Sequence, residues 1–239
     1  MGYFTFIVIT VILFGILMAG IFLKFKVFII TGIAGLLVMA FVGCKLVSRF
    51  QEERINELTE AIEYIKDETV PMEFSIKESS KGKKEVTVGF YDLAGKYIGK
   101  KSIKIEGNDI YLEFRVIKLD SKNYMFFPYV IYSNSVSSEE GEKIIGLYKG
   151  NENFPAIYRQ IETFFDKNKI DPEKLQTYKE KITELYGYVL EDKLDLVEDQ
   201  FGSAVHDYEK QGITKFKNGY TYQVICHTHT GSIEVQKKY

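Results

Sequence analysis

The chain has 239 residues and a formal net charge of −2, with 31 basic and 33 acidic side chains. That balance supplies no global basic field for nucleic acid, and Lys and Glu are interspersed as on an ordinary solvated surface. Two cysteines, Cys44 and Cys226, cannot build a disulfide framework, so the chain is not a cysteine-stapled miniprotein.

The amino-terminal region sets the organisation. Tyr3 to Leu23 contains no charged residue, Val27 to Gly43 contains none, and only Lys24-Phe25-Lys26 separates the two runs. A hydrocarbon core about 30 Å thick, crossed at about 1.5 Å per residue, takes roughly 20 apolar residues. The first run meets this directly. The second meets it by including Cys44 to Val47, with Lys45 turned toward the interface. The expectation is a domain at 1–45 holding two transmembrane helices, about 3–23 and 27–47. Gly32, Gly35 and Gly43 would let the helices approach closely, although their spacing is not GxxxG. A competing reading takes Phe41-Val42-Gly43-Cys44 as a lipobox, which would make Cys44 a lipidation site. Against it stand the clean apolar run before Met18, Phe at a lipobox position and Lys45 directly after the cysteine.

Sidedness follows from positive charge. Lys24 and Lys26 favour a cytoplasmic turn, while Lys45, Arg49 and Arg54 pull the other way among Glu52 and Glu53. The expectation is a bacterial cytoplasmic (inner) membrane protein with its carboxy-terminal domain extracytoplasmic.

Residues 46–70 read as a juxtamembrane amphipathic helix or neck, from Ile55, Leu58, Ile62 and Ile65 at three- and four-residue spacing, with Pro71 ending it. Barely two heptads are too short for a coiled coil, so the stripe is expected to pack on its own domain. From Met72 to Asn134 the period changes to two, with turns at Gly82, Asp92 to Lys96 and Gly107-Asn108-Asp109. This predicts an antiparallel meander of four or five strands, with Pro128 marking an edge strand or a bulge. Phe154, Ile157, Ile161, Phe164 and Phe165 predict a helix. Asp171-Pro172-Glu173 opens a second one, striped by Leu175, Tyr178, Ile182, Leu185 and Tyr186. Strands are predicted near 201–208, 213–217, 220–229 and 232–236, with an Asn218-Gly219 turn. The fold class is therefore membrane-anchored α+β: a transmembrane helical hairpin, then a soluble domain at 71–239 with a β-meander, two helices and a carboxy-terminal hairpin.

Two segments, Gly107-Asn108-Asp109-Ile110-Tyr111-Leu112-Glu113-Phe114-Arg115-Val116-Ile117-Lys118-Leu119 and Phe201-Gly202-Ser203-Ala204, carry a resemblance. Together with the layout they resemble an uncharacterised bacterial family with two amino-terminal transmembrane helices, often labelled multidrug or cation efflux pump. The resemblance implies the same anchored architecture with a cytoplasmic inter-helix turn, and it implies no activity. The chain departs from the family pattern between Ser121 and Gly150 and has a longer neck. Two helices without an intramembrane ionisable residue build no transport pathway on their own.

The sharpest chemical candidate is Cys226-His227-Thr228-His229. On a strand, His227 and His229 would face the same way and could share zinc, with His206 as a third ligand and Asp207 as a further candidate. Walker, GxSxG and HExxH patterns do not occur. Arg115 is expected opposite the apolar face of its strand, paired with Glu113 or with a neighbouring strand. Lys81, Lys83 and Lys84 read as a solubilising turn. The expected function is a non-catalytic envelope accessory or scaffold protein whose partners are the lipid bilayer and a membrane or envelope protein, or a second copy. The alternative is a metal- or ligand-sensing domain built on the histidines.

Overall fold

The structure, a computed structural model, describes residues 3–23, 26–62, 66–79, 82–119, 122–150, 154–161, 172–201, 204–209 and 219–238. The chain divides into two compact units, Met1–Glu53 and Arg54–Tyr239.

In the first unit, helix α1 (Tyr3–Leu23) is followed by α2 (Lys26–Ile62), which continues into the second unit. The predicted neck is thus no separate element, because nothing between Val47 and Ile62 breaks helical propensity. The two helices touch where glycine removes a side chain. A Cβ added at Gly32 would lie 2.8 Å from Cβ of Leu17, and one added at Gly35 would lie 2.6 Å from Cδ2 of Leu13. Gly15, by contrast, faces open space. Close approach of this kind lets backbones pack by dispersion. A Gly32→Leu substitution is expected to separate the helices and abolish disulfide cross-linking between cysteines placed at Leu13 and Gly35. Unchanged cross-linking would show that the glycine contact does not hold the pair.

The second unit is α+β with two antiparallel sheets. Its strands are β1 (Glu68–Glu78), β2 (Lys83–Tyr91), β3 (Tyr97–Glu106), β4 (Ile110–Lys118), β5 (Tyr124–Ser133), β6 (Glu142–Lys143), β7 (Ala204–Glu209), β8 (Thr221–His227) and β9 (Ile233–Lys237). The five-stranded sheet has the order β3-β2-β1-β8-β9, and the four-stranded sheet the order β6-β5-β4-β7. The predicted meander therefore breaks between β3 and β4. Gly107 makes that break with φ +114°, in a space where a Cβ would meet Asn134 Oδ1 at 2.6 Å. The Asn134 side chain then accepts from the backbone N–H groups of Asn108 and Asp109, at 2.9 and 3.2 Å, which fixes the turn into the second sheet.

Both prolines of the strand region sit at irregularities. β1 begins before Pro71 rather than after it, and the β1–β8 register shifts between Thr69 and Met72. The carbonyl of Pro71 accepts from the Tyr148 hydroxyl at 2.8 Å. Pro128 lies on β5, an interior strand, where the pairing with β4 skips Tyr129. The bulge is thus the outcome there, and not the edge strand.

Helix α3 (Pro172–Leu190) starts at the predicted proline and buries Tyr178, Ile182, Leu185, Tyr186 and Val189. Helix α4 (Leu194–Phe201) replaces the expected start of a strand at Phe201, because Leu194, Val197 and Phe201 recur at helical spacing and the last two are buried. Of the helix predicted from Phe154, the described residues show a 3₁₀ turn, Ala156–Tyr158, and helix at 160–161; Phe164, Phe165 and the predicted strand at 213–217 lie outside the described residues. One apolar core unites both sheets and α3, with Phe127 tilted against Tyr158 and Tyr186 at 5.5 and 6.0 Å between ring centres.

Candidate functional site

Exposed apolar side chains concentrate in one place. Of the large hydrophobic residues exposed among the described residues, all but Tyr97 and Tyr220 lie between Val11 and Phe50. Val27 is 73 % exposed and Leu37 67 %. One helical stretch, Ile29–Asn56, is long and apolar enough to cross a membrane, whereas the apolar stretch described on α1, Ile9–Met18, is shorter. Lys26 and Lys45 stand on the same helix about 28 Å apart along its axis, close to the hydrocarbon thickness of a bilayer.

Where α2 enters the second unit, it is fastened there. Arg54 Nη1 donates to both carboxylate oxygens of Glu184 on α3, at 3.2 and 3.1 Å. Its guanidinium lies 5.2 Å from the ring centre of Phe201 on α4, and Ile55 packs against the core. Glu184 also accepts from the Tyr188 hydroxyl at 3.0 Å. Of the predicted stripe, Ile55 packs on the domain, and the side chains of Leu58, Ile62 and Ile65 lie outside what is described. No sequence signal points to Arg54 and Glu184 as partners, since 130 positions separate them.

A second arginine holds the other end of that helical pair. Arg115 on β4 is 7 % exposed and Glu113 5 %, because β4 is covered on both faces rather than one. Arg115 Nη1 lies 2.7 Å from Glu113, and Nη2 lies 3.1 Å from Asp192 in the turn between α3 and α4. Asp192 adopts φ +58°, a left-handed conformation that asparagine and aspartate tolerate best after glycine. The guanidinium also stacks 4.0 Å from the ring centre of Tyr129, the residue left unpaired by the β5 bulge. The Glu113 pair is the expected one, but its burial and the Asp192 contact were hidden from alternation alone. The arginine is held between one buried and one half-exposed carboxylate, which favours a structural role.

The histidines are distributed over the two sheets. His206 lies on β7, in register with Val116, while His227 ends β8 in the other sheet. The chain then turns, so His229 is exposed and off the strand on which the same-face expectation rested. Nδ1 of His227 lies 3.9 Å from Glu68, and Nε2 lies 3.7 Å from Glu234, so the two carboxylates address different ring nitrogens. Among the described residues, no group of three His, Cys, Asp or Glu is assembled to hold a metal. The turn does have a visible task. Thr228 is buried, its N–H donates to the Asp67 carbonyl at 2.8 Å, and its hydroxyl reaches the Lys66 carbonyl at 3.2 Å. This pins the segment that leads into β1. Gly231, with φ +73°, leaves room for the ring of Tyr124 beside it.

Both cysteines are free thiols, Cys44 exposed and Cys226 buried. Burial pushes the Cys226 thiol well up, which leaves it unreactive. Of the basic turn, Lys83 pairs with Glu106 at 2.7 Å, and Lys81 lies outside the described residues. The two segments that carry the family resemblance become neighbours, with β4 pairing β7 from Lys118↔Ala204 onward. No protein-family model, no curated protein and no solved structure matches the chain.

Proposed function

We propose that this chain is a membrane-anchored accessory or scaffold protein of the bacterial cytoplasmic membrane. In this reading α1 and α2 form a transmembrane hairpin with both termini outside, and the α+β unit is a non-catalytic interaction domain. The observation that carries it is that, among the described residues, exposed large apolar side chains are confined to Val11–Phe50, apart from Tyr97 and Tyr220. Exposing that much apolar surface to water is unfavourable by about 25 cal/mol per Å², so a lipid environment is its natural solvent. The glycine contacts at Gly32 and Gly35 support a hairpin, since lipid offers no hydrophobic drive for two apolar helices to pair. The family resemblance at Gly107–Leu119 and Phe201–Ala204 agrees with this anchored layout. A scaffold role is favoured over catalysis because the buried arginine is engaged inside the fold, paired to both Glu113 and Asp192.

The test is a pair of fusions after Tyr239, one to alkaline phosphatase and one to a fluorescent protein that matures only in the cytoplasm. Phosphatase activity in a carbonate-resistant membrane fraction is expected. Cytoplasmic fluorescence would reverse the orientation, and release of the chain by carbonate would remove the anchor altogether. The docking role is checked by cross-linking in cells, where a chain captured only as a lone monomer would overturn it.

A further inference from the structure

This inference rests on the reading of α2 as a membrane helix and names the lipid it selects. Toward its end the apolar run of α2 exposes Phe41, Val42 and Leu46, with Val47 and Phe50 after them. Lys45 and Arg49 follow on one face of the helix, one turn apart. Nζ of Lys45 lies 5.2 Å from the centre of the Phe41 ring, so the cation stands against the last apolar turn rather than beyond it. The same residues, with Ser48 and Glu52, line a shallow open groove along the helix.

That arrangement presents an apolar strip directly beneath two positive charges. A phospholipid carries the complementary pair, an acyl chain joined to a phosphate. A zwitterionic headgroup brings its own ammonium, which offsets the phosphate, whereas an anionic headgroup leaves a net negative charge for both cations. We propose that Lys45 and Arg49 bind the headgroup of an anionic phospholipid, with its acyl chain along Phe41, Val42 and Leu46. Glu52, at the water side of the groove, opposes movement of the anion farther along the helix.

The experiment reconstitutes the full chain into vesicles of equimolar phosphatidylcholine and phosphatidylglycerol. The chain is then extracted in mild detergent, and the lipids that stay bound are counted by native mass spectrometry. Phosphatidylglycerol is expected to be enriched over phosphatidylcholine. The Lys45→Gln/Arg49→Gln double variant should lose that enrichment by on the order of tenfold, and Lys26→Gln should keep it. Equal retention of both lipids by the wild type, or unchanged enrichment in the double variant, overturns the proposal. A chain that fails to float with the vesicles overturns the membrane reading itself, which separates the two failures. Both substitutions fall on exposed helical positions, and unchanged helical circular dichroism shows that lost enrichment is not unfolding.

Discussion

Replacing Arg115 by methionine is expected to lower the unfolding free energy of the Arg54–Tyr239 unit by about 3–5 kcal/mol. The cause is not the loss of one attraction. Glu113 is 5 % exposed and would lose the guanidinium that now sits 2.7 Å away, so it would bear the cost either of an unpaired buried charge or of taking up a proton. The Asp192 carboxylate is half exposed and would re-solvate, so its contribution is smaller. The double variant Glu113→Leu/Arg115→Met removes both charges together and should recover most of the loss, since well-packed apolar replacements of buried pairs are often neutral or stabilising. Urea unfolding of the full chain in detergent, followed by tyrosine fluorescence, measures both. If the double variant is as unstable as the single one, the arginine acts through its stacking on Tyr129 and its Asp192 contact, not through Glu113.

The second large effect is expected at Tyr158, through backbone rather than charge. β5 is paired along β4, but on its other side β6 reaches only Val130 and Ile131. The Tyr158 hydroxyl takes the place of the missing strand at Phe126. It accepts from the Phe126 N–H at 2.9 Å and donates to the Phe126 carbonyl at 3.2 Å. Burial pushes this phenol far above its ordinary range, which keeps its proton in place for that donation. Tyr158→Phe keeps the ring and removes both bonds, so it should destabilise the unit by about 1–3 kcal/mol. Amide exchange at Phe126 should accelerate by the corresponding factor. Slow exchange at Phe126 in the variant would mean that another group satisfies the strand edge.

These two sites also show what the sequence could reveal. Alternation along Ile110 to Val116 identified β4 and its apolar face, but alternation describes a strand with one wet side. β4 is covered on both sides, so Arg115 was expected at a surface and is found inside. Helix α3 was legible because Pro172, Glu173 and the stripe from Tyr178 to Tyr186 are all local signals. The predicted strands at 220–229 and 232–236 were legible for the same reason and pair as β8 and β9, whereas Asn218 and the strand predicted before it lie outside the described residues. The partition into two sheets was not, since β1 pairs with β8 through partners such as Met72↔Val224, far apart in the chain. The turn at Gly107 could be read as a turn, but its conformation decides which sheet the next strand joins, and sequence alone does not give that. Of the proposed metal set, each histidine was placed on or near a strand, yet the end of β8 at His227 undid the alternation that joined His227 to His229.

The ends of the sheets have a consequence for the anchored reading proposed above. Anchored domains meet one another far more often than free ones at the same copy number, and an open strand edge would let them polymerise. Here β3, one border of the five-stranded sheet, carries Lys100, Lys101 and Lys104, and the other border, β9, is only five residues long. In the four-stranded sheet β6 is a two-residue border. Charged or very short borders resist strand addition by a neighbour. At these three borders, crowded copies of the domain would meet through side chains and not by adding strand to strand.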